Sequence, residues 1–223
     1  MAGQTFFITG TDTGVGKTVL ATLLVRHLRG RGARVAAFKP FSSGGRADAR
    51  VLRAALGGSL SLDEINPWHF RAPLAPLLAA RREGRVVRLA EVLAHARRLR
   101  ASHEALVIEG AGGLLSPLGK GFSARDLIAA LRPRTLLVCP NRLGAINQAL
   151  LALAALPPAA ARRARIILVS PARPDAASRS NAVLLAELVG KARVRSLPRV
   201  PASVWRAAGE LPASLRRVLV AAI

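Results

Sequence analysis

With 223 residues, 51% of them hydrophobic, the chain can bury a full core without disulfide or metal staples, and one globular domain over residues 1–223 is expected. A single cysteine excludes an internal disulfide framework, and no run approaches the ~18 uninterrupted apolar residues of a membrane span, so a cytoplasmic protein with no membrane partner is expected. The formal charge of +22 comes from 34 basic and 12 acidic residues, but Arg26, Arg50, Arg81, Arg98, Arg132, Arg163 and Arg193 are scattered rather than gathered in one arm, which favours solvated surface over a specific nucleic-acid site.

Short apolar runs alternate with helical patterns along the chain. "TFFITG" reads as a buried strand that runs through a glycine-rich turn into a helix over Lys17 to Arg29. "ARVAAFKP" is a second strand, followed later by a helix over Leu89 to Ala101 and the strand "EALVIEG". A helix over Ser123 to Leu131 opens with Ser123 and Asp126 in the spacing of a capping box. The strand "RTLLVCP" carries Cys139 as a structural thiol and precedes a helix over Gly144 to Leu156. The Pro/Ala/Arg-rich segment from Leu156 to Arg165 reads as a loop, after which "ARIILVS" forms a strand and Ser180 to Lys191 a helix. Strands separated by helices imply right-handed crossovers and a mostly parallel α/β sheet with helices on both faces. Ligands of such sheets collect at the carboxyl ends of the strands, here the loops beginning at Gly10, Lys39, Glu109, Pro140 and Ser170.

The first of these loops, "GTDTGVGKT", lets the backbone N–H groups of Thr13, Gly14, Val15 and Gly16 converge on an anion. Lys17 reaches the outer phosphates of a nucleotide, and Thr18 at the start of the helix is placed to ligate magnesium. Thr11 stands where the usual spacing has its first glycine, with Gly10 one residue earlier. The strand-loop-helix context points to a P-loop NTPase-like three-layer fold that uses a nucleoside triphosphate with Mg2+. Magnesium prefers oxygen ligands, and Glu109, ending "EALVIEG" before an unobstructed "AGG", is the leading acidic candidate, with Asp48 second. Almost every basic residue is arginine, yet lysine occupies Lys17 and Lys39 in two of these turns; a compact ammonium makes a point contact where a planar guanidinium needs more room.

At this point the sequence resembles the dethiobiotin synthetase family. "GTDTGVGKT", "KPFSSG", "NPWHFRAPLAP" with "REGR", "EGAGGLLSPL" and "LGAINQALL" follow in that order over about two-thirds of the chain. The resemblance implies an ATP-dependent cyclo-ligase of biotin biosynthesis that joins CO2 to 7,8-diaminopelargonate through a carbamate and a carbamic-phosphoric anhydride. It implies Lys17 and Lys39 as catalytic residues, with Lys39 bridging carbamate and γ-phosphate, and Thr18, Asp48 and Glu109 around magnesium. Thr13 and Ser43 are implied to orient the diamine, Gly112 to line its cleft, and Asn147 to complete its site across a homodimer interface. Ala75 and Leu77 replace a serine and a histidine of the family pattern, Gln148 replaces a histidine, and Ser170 stands where an adenine-reading asparagine is usual.

Other readings of the same residues are a partition-type, nucleotide-switched ATPase that binds DNA, a catalytically silent module of the synthetase fold, and an amidoligase acting on another carboxylate or carbamate. The charge favours the DNA-binding reading, whereas "KPFSSG" together with "EGAGG", and the lack of an early signature lysine in "GTDTG", favour the synthetase.

Overall fold

The computed structural model describes residues 3–207 and 209–223. In chain order the elements are β1 (Gln4–Gly10), α1 (Lys17–Gly30), β2 (Val35–Phe38), β3 (Phe41–Ser43), α2 (Ala47–Ala55), α3 (Leu62–Ile65), β4 (Trp68–Phe70), α4 (Pro76–Arg82), α5 (Leu89–Ala101), β5 (Ala105–Glu109), β6 (Pro117–Gly119) and β7 (Phe122–Ser123). They continue with α6 (Ala124–Leu131), β8 (Arg134–Pro140), α7 (Ala145–Ala155), α8 (Pro158–Arg163), β9 (Arg165–Val169), α9 (Ala176–Val189), β10 (Val194–Leu197), α10 (Ala202–Trp205) and α11 (Ala213–Ala222).

Six strands form one parallel sheet in the order β10-β9-β8-β1-β5-β2. Its central strands are buried along their whole length rather than on alternate residues, as in Ala105–Glu109, because helices cover both faces. α1, packed on β1, β2 and β5, buries Leu20, Leu23, Leu24 and Leu28, and α5 packs on β2 and β5. The register sets Ile8 of β1 beside Glu109 of β5, and Gly10 beside Val138 of β8. The strand-end loops therefore meet at one edge of the sheet. Two small sheets border it: β3 pairs with β4 in parallel, and β6 with β7 in antiparallel.

The five expected strands lie in the main sheet, and Ser123 caps α6 through the expected reciprocal pair with Asp126. Two expectations are corrected. The segment from Leu156 to Arg165 contains the short helix α8, started by Pro158 at its first position. The helix expected from Ser180 starts at Ala176, where Asp175 and Ser178 form a capping box that the alanine-rich lead-in conceals. The sixth strand, β10, is absent from the sequence reading because only its end residues Val194 and Leu197 are buried.

Candidate active site

Thr11 N–H donates to the carbonyl of Val138 at 3.0 Å and ties the glycine-rich loop to β8. The loop then turns into α1 through Gly16 at φ 104°, a left-handed conformation that L side chains rarely adopt; an added Cβ would also crowd Val169 at 3.3 Å. No side chain caps α1 and no acidic residue occupies its first turn. Its free N–H groups and positive dipole end are thus left for an anion. Val15 is buried in the loop's interior, so only its backbone remains for a ligand.

Four polar side chains from separate elements meet in front of this helix end. Glu109 is 1% exposed at the end of β5, and its Oε1 accepts from Thr18 Oγ1 at 2.8 Å and from Lys39 Nζ at 2.7 Å. Lys39 also donates to the Gly110 carbonyl at 3.1 Å and lies 3.4 Å from an Asp48 carboxylate oxygen. Burial works against the charge on Lys39, but the Glu109 and Asp48 carboxylates outweigh it and hold the ammonium above its ordinary pKa. Lys17 behaves differently. Its ammonium folds back onto the Asp12 carbonyl at 2.6 Å, and burial, reinforced by the charge of Lys39, lowers its pKa to about 8.

Thr13, Gly14, Gly16, Lys17, Thr18, Lys39, Asp48, Glu109 and Gly112 line one cavity of about 450 Å3. Thr13, Lys39, Asp48 and Gly112 also face a neighbouring cavity of about 570 Å3, where Ser43, Ser116 and the apolar wall of Leu74, Ala75 and Pro76 join them. Lys39 therefore stands in the wall common to both spaces. Gly112, at φ 66°, leaves no room for a Cβ against Ser116, whose hydroxyl oxygen accepts from Gly113 N–H at 2.9 Å. The Ser43 hydroxyl oxygen is buried without a hydrogen-bond partner at the edge of the second cavity.

The donor set suits a hard divalent cation. Glu109 Oε2 is buried and has no hydrogen-bond partner, a costly state for a carboxylate oxygen unless a ligand meets it. Thr18, Asp48 and Glu109 offer only oxygen. That combination fits magnesium, completed by nucleotide and water oxygens, better than a soft-metal cage. Asp48 lies in the first turn of α2, whose N-cap is Arg46, so it is not the cap of that helix.

Besides the buried Val15, two predicted residues are absent from the linings of these cavities. Ser170 directly follows β9, with its N–H bonded to the Leu197 carbonyl at 2.9 Å, and Asn147 is exposed in the first turn of α7. The sequence reading missed Asn66, whose amide donates to the Lys39 carbonyl at 2.7 Å and fixes the strand end carrying that lysine. It also missed Ser116, and Trp205 with Arg206, which reach the first cavity from the far end of the chain. A polar residue beside an apolar motif could have flagged Asn66; nothing local to Trp205 and Arg206 announces them.

A family model described as an AAA domain matches residues 4–207. In its architecture the chain is similar to the MinD cell division protein of Aquifex aeolicus, with a TM-score of 0.59 at 16% identity, covering 99% of this chain and 95% of that one. The ParA family ATPase of Chlorobium tepidum gives 0.56 at 12% identity over 89% and 85%. At these identities the likeness is one of fold, that of the P-loop NTPases. The sequence itself is similar to the ATP-dependent dethiobiotin synthetase BioD of Anaeromyxobacter dehalogenans, 50% identical over 67% of this chain and 69% of the relative. It is 45% identical to that of Akkermansia muciniphila over 69% and 72%. With this identity and coverage, the chain belongs to the ATP-dependent dethiobiotin synthetase family.

Proposed function

We propose that this protein closes the ureido ring of dethiobiotin from 7,8-diaminopelargonate, CO2 and MgATP, acting as an ATP-dependent ligase. The observation that carries the reading is Lys39, kept charged between Glu109 and Asp48 in the wall shared by the two cavities. Phosphoryl transfer asks mainly for positioning and charge neutralisation, and no protein nucleophile is needed.

The backbone of Thr13, Gly14, Val15 and Gly16 with Lys17 would bind the β- and γ-phosphates, leaving the second cavity for the diamine. Thr18, Asp48 and Glu109 would hold magnesium, which when bound neutralises phosphate charge. One amine of the substrate adds to CO2 and loses a proton, giving a carbamate. A carbamate oxygen then attacks the γ-phosphorus and ADP leaves. The second amine attacks the carbonyl carbon of the mixed anhydride, phosphate departs, and the ring is closed. Lys39 lies where negative charge is shared between attacking carbamate and transferred phosphoryl group, so it favours the transition state over the bound substrates. Thr13, Ser43 and the backbone at Gly112 would orient the polar end of the diamine, while Leu74, Ala75 and Pro76 offer apolar surface to its methylene chain. Asn147 would complete the site from a second copy in a cytoplasmic homodimer.

Lys39→Ala tests the assignment. Turnover at saturating substrate should fall by about a hundredfold or more while MgATP affinity changes little, the signature of an interaction made mainly in the transition state. Full turnover in a folded Lys39→Ala variant would contradict the role given to it.

A further inference from the structure

The first cavity has a wall that the phosphate loop does not supply. Trp205 and Arg206, at the end of α10, line it together with Lys17, Thr18 and Glu109, although they come from a distant part of the chain. Trp205 is 9% exposed and carries the Arg206 guanidinium over its ring, 4.7 Å from the centroid. Their segment is fixed from α1. Arg26 donates to the carbonyls of Val204 at 2.6 Å, Trp205 at 3.3 Å and Gly209 at 2.9 Å. An arginine two helical turns beyond the phosphate loop thus anchors the segment that presents another arginine to the same cavity.

A neighbouring groove holds further cations, but among the residues that line the phosphate cavity Arg206 is the one arginine. That groove, about 630 Å3, shares Val51, Trp205 and Arg206 with the phosphate cavity and is also lined by Arg26, Arg29 and Arg50. Arg26 spends its donors on the segment's carbonyls, and Arg29 donates to the Ala55 carbonyl at 2.6 Å, so these two hold backbone in place. No carboxylate among the described residues pairs with Arg206. Charge in the cavity also calls for a further cation: a fully ionised triphosphate added to Asp48 and Glu109 carries more negative charge than two lysines and one divalent ion offset.

We infer that Arg206 is a nucleotide-binding residue that contacts the phosphate chain of ATP from outside the glycine-rich loop, with Trp205 and Arg26 as its positioning residues. This rests on the proposal that ATP occupies the first cavity. A planar guanidinium braced on an indole loses little freedom when it meets two phosphate oxygens, which favours arginine over lysine here.

Calorimetric titration with MgATP and MgADP tests it, on wild type, Arg206→Ala, Arg206→Lys and, as a control for the phosphate loop, Lys17→Ala. Arg206→Ala should bind MgATP about tenfold more weakly than wild type, as expected for one lost charged hydrogen-bonding contact. Arg206→Lys should recover part of the loss. The difference between wild type and Arg206→Ala should narrow between about 50 and 500 mM salt, a dependence that a merely structural role would not give. Arg206 is exposed, so thermal melting of Arg206→Ala should match wild type. If wild type binds MgATP, Lys17→Ala does not, and Arg206→Ala binds as tightly as wild type, the inference about Arg206 is overturned and ATP binding at the loop stands. If wild type binds no MgATP, both fall.

Discussion

Lys17 and Lys39 sit in the same cavity, yet their environments push their proton affinities apart. Lys39 has two carboxylates beside it and stays charged; Lys17 is lowered by burial, reinforced by the charge of Lys39, to about 8 from an ordinary 10.5. Between those two values the unfolded chain holds a proton on Lys17 that the folded one releases, so burying this ammonium costs stability below about 8, and the cost is relieved as pH rises toward 10.5. An anionic nucleotide reverses the preference. MgATP affinity should therefore fall as pH climbs above about 8, with proton uptake on binding near pH 9 in calorimetry with buffers of different ionisation heat. A flat affinity from neutrality to pH 9 would remove Lys17 from the phosphate contacts. At Glu109 the unpartnered Oε2 makes a different prediction. Glu109→Gln keeps the volume and loses the charge, so the magnesium concentration needed for half-maximal turnover should rise about tenfold or more while the fold survives. An unchanged magnesium titration would move the metal role elsewhere.

Strand ends bring these residues together, and here sequence and structure part company unevenly. The buried runs of β1, β2, β5, β8 and β9 were readable because a strand covered on both faces must be apolar throughout. β10 was not, since it buries only Val194 and Leu197 and carries an arginine between them. Lys17, Thr18, Lys39 and Glu109 were legible because each belongs to a contiguous pattern at the carboxyl end of one strand. Arg206 was illegible for the converse reason: it arrives through Arg26 bonds spanning 178 residues to Val204, and no local pattern encodes such a contact. Ser170 belongs to the same scale. Its place directly after β9 is set by pairing with β10, and a lone hydroxyl there offers less to a purine edge than an amide would. We expect GTP or CTP to support turnover within about tenfold of ATP, a gap of ~1.4 kcal/mol, measured as initial rates with each nucleotide. Strict dependence on ATP would mean that backbone or another loop reads the base.

For the whole molecule, the helix α7 presents Leu151, 62% exposed, beside exposed Leu143 and Asn147. An apolar helix face of this kind is expected at a two-fold interface, and sedimentation should give a dimer without ligand that Leu151→Glu dissociates. A monomer that dimerises and grips DNA at 200 mM salt only with ATP would favour the partition-type reading, whose fold the chain shares; the account here expects DNA binding to be weak and lost between about 50 and 200 mM salt. Fold and charge are common to both readings, so the chemistry decides. The most direct measurement is mass analysis of the products formed from diaminopelargonate, 13C-bicarbonate and MgATP. The account predicts dethiobiotin carrying the label in its ureido carbonyl, with ADP and phosphate released in equal amounts to product and none formed by Lys17→Ala. ATP hydrolysis without labelled product, or no product from protein that binds both MgATP and the diamine, would contradict it.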